Sequence, residues 1–359
     1  MTEGSHTWQE IISQPEVWRA TLDAFTADQS TLDEFLGAAD FDHVLVVGCG
    51  STHYLAQTAA TTLTRRAGVR TRALPASELW LFPGLIPTDR TMLLAISRSG
   101  TTTETLRAVD QFREVSSGRV LAITCYPEST LAQRADFALV APDAQEQSVA
   151  QTRSFTSMLL LTQALTSVLA QENGNDEEML EHLHRLPDAL EGLVNRLGDL
   201  PQRLGEDLGI ERLFFLGGGP LYGLASEAML KTKEMSLSYA EAYYPLEFRH
   251  GPMSMVNEHT LVIGFTSDTG LTEELRTLKD MKELGARILA LVEGGTKPAG
   301  GGPFADWQAD HVVELRSGLD EWERGPLYLP PVQRMAYHRA VAKGLNPDRP
   351  HNLEAVVRL

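Results

Sequence analysis

Two short segments combine glycine with hydroxyl side chains where apolar runs end. They are GCGST at residues 48–52, after VLVV, and SRSGTTT at 97–103, after MLLAI. Hydroxyls and backbone N–H groups at the start of a helix can bind an anion, and phosphate is the natural example. Serine and threonine also cap helices, so either segment alone has two interpretations. Two such segments at neighbouring strand ends favour a phosphate site.

A second group of reactive side chains lies in MLKTKEMSLSYAEAYYPLEFRHGPMS, which begins at Met229. Lys231 and Glu234 are three residues apart and would share one face of a helix. The sequence around His250 is typical of a turn. A carboxylate, an amine and an imidazole near a sugar phosphate could move protons beside a carbonyl. Spacing alone favours the plainer interpretation, an exposed ion pair and a hydrogen-bonded turn histidine.

The elements that must position these residues occur twice. HVLVVGCGSTHYLAQTAATTL from His43 matches RLFFLGGGPLYGLASEAMLKT from Arg212 at a shift of 169 residues. One residue is lost later, so that VLAI at 120–123 falls on ILAL at 288–291. In each copy, apolar runs of strand length alternate with segments of helical periodicity, which predicts a parallel sheet with helices on both faces. The predicted fold class is two tandem doubly wound α/β domains related by duplication.

The two copies differ in the residues that could bind phosphate. The second copy has GGGP at 217–220 and Thr266-Ser-Asp268, so it lacks the first set of hydroxyls and adds a carboxylate. Neither copy carries a complete G-x-G-x-x-G or a Gly-Lys phosphate loop typical of nucleotide sites. We therefore expect only the first copy to bind phosphate.

Composition shifts suggest where the domains begin and end. We predict a helical leader at 1–29, a sugar-phosphate-binding domain at 30–170, a helical linker at 171–208, and a second domain at 209–359 that contains the Glu234 and His250 segment. The polar stretch ENGNDEEM at 172–179 marks the linker, and EGGTKPAGGGPF at 293–304 is predicted to be a surface loop.

Charge and hydropathy exclude several classes of partner. The 359 residues include 31 basic and 48 acidic side chains, a formal charge of −17, which argues against nucleic acid or an anionic membrane as the partner. The chain has no run of 18 apolar residues and no secretory signal, so we expect a cytoplasmic protein. Cys49 and Cys125 lie outside any metal-binding pattern, and we expect them to be small buried residues.

Five motifs in order resemble the sugar isomerase (SIS) domain family, most closely the isomerase half of the glutamine–fructose-6-phosphate aminotransferases. The motifs are GCGST, SRSGTTTET, EQSVAQTRSFTS at 146–157, KTKEMSLSYAEAYYPLEFRHGP and AYHRAVAKGLNPDRPHNL. The similarity runs from about residue 30 to the C-terminus. It implies binding of a phosphorylated sugar or amino sugar, without a metal or organic cofactor.

The resemblance also implies individual roles. Glu234 matches the family's general base, which moves a proton between C1 and C2 of the open-chain sugar, and Lys231 matches a residue that assists it. His250 matches the histidine that opens the hexose ring from the neighbouring subunit, which implies a homodimer with a shared active site. Val149 would lie beside the sugar. The residues implied for the phosphate are Gly50, Ser51, Thr52, Ser97, Ser99, Gly100 and Thr102.

Three departures from the synthase pattern bear on the reaction. The chain starts with a short helical leader and lacks an N-terminal nucleophilic cysteine, so we expect that glutamine is not its ammonia source. The synthase's imine-forming lysine aligns with Ala355, which cannot form an imine. Arg98 replaces a glutamine, and its guanidinium could grip phosphate or a substrate carboxylate through two hydrogen bonds.

These departures favour breakdown over synthesis. The predicted activity is an isomerase and deaminase that converts glucosamine 6-phosphate into fructose 6-phosphate and ammonia. The first alternative is a fructosamine-6-phosphate deglycase, which would release a larger amine. The second is a regulator that binds sugar phosphate without turnover, although such a protein has no need of Glu234, Lys231 and His250 together.

Overall fold

The chain folds into two compact units. The computed structural model describes residues 4–85, 90–172, 174, 178–294 and 309–356. The first unit comprises Ile12–Pro187 with Glu354–Leu359, and the second comprises Met1–Ile11 with Asp188–Leu353. Most of the predicted surface loop at 293–304 and part of the polar stretch at 172–179 lie outside the described residues.

Each unit contains one parallel sheet of five strands within the described residues. The first sheet has the order β2-β1-β3-β4-β5, and the second, read from the opposite edge, has the order β7-β6-β8-β9-β10. The strands are β1 (His43–Gly48), β2 (Arg70–Pro75), β3 (Thr91–Ile96), β4 (Val120–Thr124), β5 (Phe137–Val140), β6 (Arg212–Gly217), β7 (Tyr239–Tyr243), β8 (Thr260–Phe265), β9 (Arg287–Val292) and β10 (His311–Glu314).

Helices flank both sheets, which confirms the predicted doubly wound α/β fold. They are α1 (Ser5–Ile12), α2 (Gln14–Gly37), α3 (Ser51–Thr62), α4 (Ala76–Leu81), α5 (Thr103–Val115), α6 (Thr130–Arg134), α7 (Arg153–Glu172), α8 (Met179–Leu183), α9 (Leu186–Leu197), α10 (Leu200–Glu206), α11 (Leu221–Ser236), α12 (Pro245–Phe248), α13 (Leu271–Glu283) and α14 (Leu329–Ala342). Among the helices so described, none is both long and apolar enough to cross a membrane.

The strand registers repeat with the shift read from the sequence. His43 of β1 is aligned with Arg70 of β2, and Arg212 of β6 is aligned with Tyr239 of β7, each residue 169 positions later. The register between β3 and β4 pairs Leu93 with Val120. In the second unit, the register between β8 and β9 pairs Val262 with Ile288. Val262 lies 169 residues after Leu93, and Ile288 lies 168 residues after Val120. The duplication therefore extends to the pairing of the strands, including the lost residue.

The central strands are buried on both faces, which explains why they appear as continuous apolar runs. Every residue of β3 and of β8 is buried. The core of the first unit packs Phe112 of α5 against Leu93, and that of the second packs Phe214 among residues of α12 and α13. Each fully buried leucine or phenylalanine side chain contributes about 1.5–3 kcal/mol. These cores fix the strand ends from which the candidate site residues project.

The two cysteines are free thiols in protected positions. Cys125 is buried and Cys49 is partly buried. Burial raises the pKa of both thiols, so neither is a reactive thiolate at neutral pH.

Candidate active site

The two hydroxyl-rich segments of the first unit follow neighbouring strands. Strand β1 pairs in parallel with β3, so the carboxyl ends of both strands meet at one edge of the sheet. In open parallel sheets, ligands bind at the carboxyl ends of two adjacent strands whose following helices pack on opposite faces of the sheet. The predicted adjacency of the two segments is therefore confirmed.

The segment after β1 turns sharply into α3. Gly50 has a φ of 56°, a conformation that favours glycine, and α3 begins at Ser51. The Thr52 hydroxyl accepts a hydrogen bond from the Cys49 N–H at 2.8 Å and donates one to the Cys49 carbonyl at 3.0 Å. Thr52 thus stabilises the turn ahead of α3, while Ser51 lies buried at the helix start.

The segment after β3 is held by its own hydroxyls. The Ser97 hydroxyl accepts from the Gly100 N–H at 3.2 Å and lies 3.3 Å from the Thr102 hydroxyl. The Ser99 hydroxyl accepts from the Thr101 N–H at 3.2 Å. A side chain at Gly100, whose φ is 60°, would place its Cβ 2.1 Å from the Ser129 hydroxyl. This close approach and the positive φ both require glycine at this position in the loop ahead of α5.

Arg98 lies in this loop and joins two distant segments to it. Its side chain is only 7% exposed. Nη1 donates to the Val149 carbonyl at 2.9 Å, and Nη2 donates to the Ala355 carbonyl at 2.7 Å. The guanidinium therefore binds two backbone carbonyls and holds Val149 and Ala355 beside the loop after β3. Binding of phosphate or a substrate carboxylate by Arg98 stays a prediction.

Glu146, in the segment EQSVAQTRSFTS, is a buried carboxylate whose role sequence reasoning missed. Its side chain is fully buried, 3.6 Å from Nη1 of Arg98. It accepts from the Thr152 N–H at 2.6 Å and from the Ser154 N–H at 3.1 Å, at the start of α7. Glu146 therefore anchors the start of α7 and the segment that contains Val149. The only indication in the sequence was its position in EQSVAQTRSFTS, six residues before Thr152.

In the second unit, Lys231 and Glu234 lie on one face of α11, as predicted, but they are not an exposed pair. The Lys231 side chain is 1% exposed and that of Glu234 is 19% exposed, and their charged groups form a close ion pair. Glu227, one helical turn earlier, is fully buried with a carboxylate oxygen 3.5 Å from Nζ of Lys231. Sequence reasoning missed Glu227, although its i−4 spacing from Lys231 is a signal that it shares the same face.

This arrangement sets up one carboxylate for proton transfer. Lys231 stands between two carboxylates, so the three groups together carry one negative charge when all are ionised. Glu234 is the more exposed of the two carboxylates, whereas Glu227 is shut off from solvent. Glu234 therefore suits a general base, and Glu227 suits a residue that keeps Lys231 charged and in place.

His250 lies exposed on the turn between α12 and the single-turn helix Pro252–Met255, as the sequence predicted. Its backbone N–H donates to the Glu247 carbonyl at 3.0 Å. Gly251 has a φ of 127°, which favours glycine and fixes the direction of the chain after the histidine. The described residues contain no cluster of three or more His, Cys, Asp or Glu side chains that could hold a metal ion.

Replacing Ser99 with alanine tests the prediction that the loop after β3 binds phosphate. We expect Ser99→Ala to weaken binding of fructose 6-phosphate by about 1.5–3 kcal/mol, the contribution of a hydrogen bond to a charged group. Isothermal titration calorimetry measures the change, and Ser117→Ala, at an exposed serine of the same unit, is the matched control. An affinity equal to that of the unmodified protein would place the phosphate elsewhere.

Comparison with known proteins confirms the resemblance carried by the five motifs. The family model for the SIS domain matches residues 39–168 and 209–342. A glutamine–fructose-6-phosphate aminotransferase (isomerizing) of Shewanella oneidensis is 31% identical over 363 residues, which cover 96% of this chain and 57% of the relative. The chain thus spans about half the length of the curated relatives it matches.

Two solved structures share the fold over nearly their whole length. A glucosamine-6-phosphate deaminase of Thermotoga maritima is 30% identical with a TM-score of 0.79, and the alignment covers 99% of this chain and all of that chain. A tagatose-6-phosphate ketose/aldose isomerase of Escherichia coli is 25% identical with a TM-score of 0.83, with 96% and 95% covered.

Proposed function

The chain belongs to the SIS domain family, and we propose that it is an amino-sugar-phosphate isomerase and deaminase that converts glucosamine 6-phosphate into fructose 6-phosphate and ammonia. The observation that carries the proposal is the buried Lys231 between Glu227 and Glu234. A buried ammonium flanked by two carboxylates costs desolvation energy, and a protein that only binds sugar phosphate gains nothing from it. This favours an enzyme over a regulator.

The first unit supplies the proposed phosphate site. The N-termini of α3 and α5 lie at the carboxyl ends of β1 and β3, where a dianion can bind. The hydroxyls proposed to bind it are those of Ser51, Thr52, Ser97, Ser99 and Thr102. Thr102 precedes α5 without a side-chain cap bond, so its hydroxyl is not committed to the helix end. Val149, held beside this loop by Arg98, would contact the sugar.

Glu234 would carry out the proton transfer. It takes the proton from C2 of the open-chain aldehyde and returns it to C1, while a proton passes from the nitrogen to O1. The product is an imine at C2 with a hydroxymethyl group at C1. Lys231, which is in contact with Glu234, would donate a proton to O1 and recover one from the nitrogen. Water then adds to C2, ammonia leaves, and fructose 6-phosphate remains.

Ala355 supports the breakdown direction. The resemblance assigns the synthase's imine-forming lysine to this position, and alanine has no amine with which to hold the ketose. The Ala355 carbonyl accepts from Arg98, so the backbone here is anchored although the side chain is inert. Hydrolysis of the imine by water needs no amine from the protein at this position.

Ammonia release from glucosamine 6-phosphate, without glutamine, tests the proposal. A coupled glutamate dehydrogenase assay should show release by the purified chain and none by Glu234→Gln. If neither protein releases ammonia but fructosamine 6-phosphate is cleaved, the activity is that of a deglycase. If glucose 6-phosphate and fructose 6-phosphate raise the melting temperature but no substrate turns over, the protein is a sensor.

The proposed homodimer makes a quantitative prediction. If His250 reaches the site of the neighbouring subunit, a mixed dimer of Glu234→Gln and His250→Ala chains has one intact site of two. Random mixing should then restore about a quarter of the unmodified activity, because half of the dimers are mixed. Native mass spectrometry verifies that the chains exchange, and sedimentation verifies that they remain dimeric. Mixed dimers without activity would place His250 and Glu234 of one chain in the same site.

A further inference from the structure

The loop after β8 in the second unit corresponds to the phosphate loop after β3 in the first. The shift of 169 residues places Asp268 and Thr269 at the positions of Ser99 and Gly100. Each loop precedes a helix of 13 residues, α5 in the first unit and α13 in the second. The two loops therefore occupy corresponding places ahead of a helix, and the second has lost the hydroxyl of Ser99 but gained one at Thr269.

In the second unit, a carboxylate of the chain itself binds this loop. The Glu321 side chain accepts hydrogen bonds from the Asp268 N–H, from the Thr269 N–H at 2.9 Å and from the Thr269 hydroxyl. Glu321 is only 4% exposed. Two successive backbone N–H groups and a hydroxyl on one carboxylate are the donor set by which a loop ahead of a helix binds an oxyanion.

The charge of the loop is balanced by a buried arginine. Nη1 and Nη2 of Arg324 donate to the two oxygens of Asp268 at 2.6 and 2.8 Å, and Arg324 is completely buried. The carboxylate of Asp268, which the sequence predicts would repel phosphate, is thereby neutralised. Glu274 accepts from the Ser267 N–H at 2.7 Å, and burial raises the pKa of its carboxyl to about 7. Glu321 can therefore bind here although two other carboxylates lie nearby.

The segment that carries Glu321 is itself anchored. It lies between β10 and α14, and the buried carboxylate of Glu293 accepts from the Ser317 hydroxyl and from the Gly318 N–H, both at 2.9 Å. Arg324 also donates to the Leu319 carbonyl at 3.0 Å. Glu321 is thus held at the loop by fixed neighbours on both sides, and binding it costs little further conformational entropy.

We propose that the loop after β8 is an oxyanion site that the protein fills permanently with the carboxylate of Glu321. In the second copy of the duplicated domain, two backbone N–H groups of this loop bind an internal carboxylate, where the corresponding loop of the first copy is proposed to bind an external anion. A phosphate in solution would have to displace a buried, tethered carboxylate. External phosphate can therefore bind the loop after β3 but not the loop after β8, which Glu321 occupies.

Removal of the internal carboxylate should convert this loop into a site for a small carboxylate from solution. In Glu321→Ala, three donors lose their acceptor, and we expect the melting temperature to fall by at least about 3 °C. Sodium formate should restore part of the loss in a saturable manner, beyond the effect of sodium chloride at equal ionic strength. The full-length chain is used throughout, and differential scanning calorimetry reads the melting temperature.

Two further variants make the test decisive. Glu258→Ala, at an exposed glutamate of the same unit, should melt like the unmodified chain and show no specific formate effect. Glu321→Gln keeps the shape and one carbonyl acceptor, so it should fold, melt below the unmodified chain and ignore formate because the amide fills the space. The proposal is overturned if Glu321→Gln is as stable as the unmodified chain, or if formate acts on Glu321→Ala no differently from chloride.

Discussion

Glu234→Gln is expected to lower kcat for ammonia release from glucosamine 6-phosphate by about 10²–10⁴, the contribution of a positioned general base. The amide keeps the size of the side chain and loses the ability to take a proton from C2. Lys231 keeps the Glu227 carboxylate 3.5 Å away, so the variant should fold and melt close to the unmodified protein. Steady-state kinetics and calorimetric titration with fructose 6-phosphate separate the lost turnover from retained binding.

The control for this variant is Glu283→Gln, a glutamate near the end of α13 whose side chain is 67% exposed. It makes the same chemical change away from the proposed chemistry and should leave kcat unchanged. Turnover by Glu234→Gln at the rate of this control would remove Glu234 from the mechanism. Equal loss of turnover and of sugar-phosphate affinity would instead make Glu234 a binding residue.

Lys231→Met is expected to destabilise the protein as well as abolish its activity. The substitution removes the cation between Glu227 and Glu234 and leaves a fully buried carboxylate without that charge partner. Breaking a buried ion pair from one side costs about 3–5 kcal/mol, so chemical denaturation should show a loss of that size in the free energy of unfolding. Lys233→Met, at an exposed lysine of the same helix, should change neither property.

The double variant Lys231→Met with Glu227→Met separates the two effects. Replacing both members of a buried pair with apolar side chains is often neutral in stability, so the double variant should recover most of the lost free energy of unfolding. It should remain inactive, because Lys231 is still missing from its contact with Glu234. Recovery of activity together with stability would show that Lys231 acts only through folding.

The duplicated α/β fold follows from local sequence patterns. The apolar run VLVV and the glycine at residue 50 are properties of neighbouring residues, and the constant shift to Arg212 shows that the same pattern recurs. The central strands are recognisable as continuous apolar runs because they are buried on both faces. The pairing of Lys231 with Glu234 could be predicted in the same way from helical spacing. Their burial could not, because it depends on what the rest of the second unit packs against α11.

The tertiary structure decided which polar groups meet across long separations. Arg98 donates to the carbonyls of Val149 and Ala355, and every residue has a carbonyl, so no side-chain pattern marks these acceptors. The same holds for Glu321, which binds the backbone N–H groups of Asp268 and Thr269 from more than fifty positions away. A sequence specifies a backbone partner only through the path of the whole chain, because the partner's chemistry is identical at nearly every position.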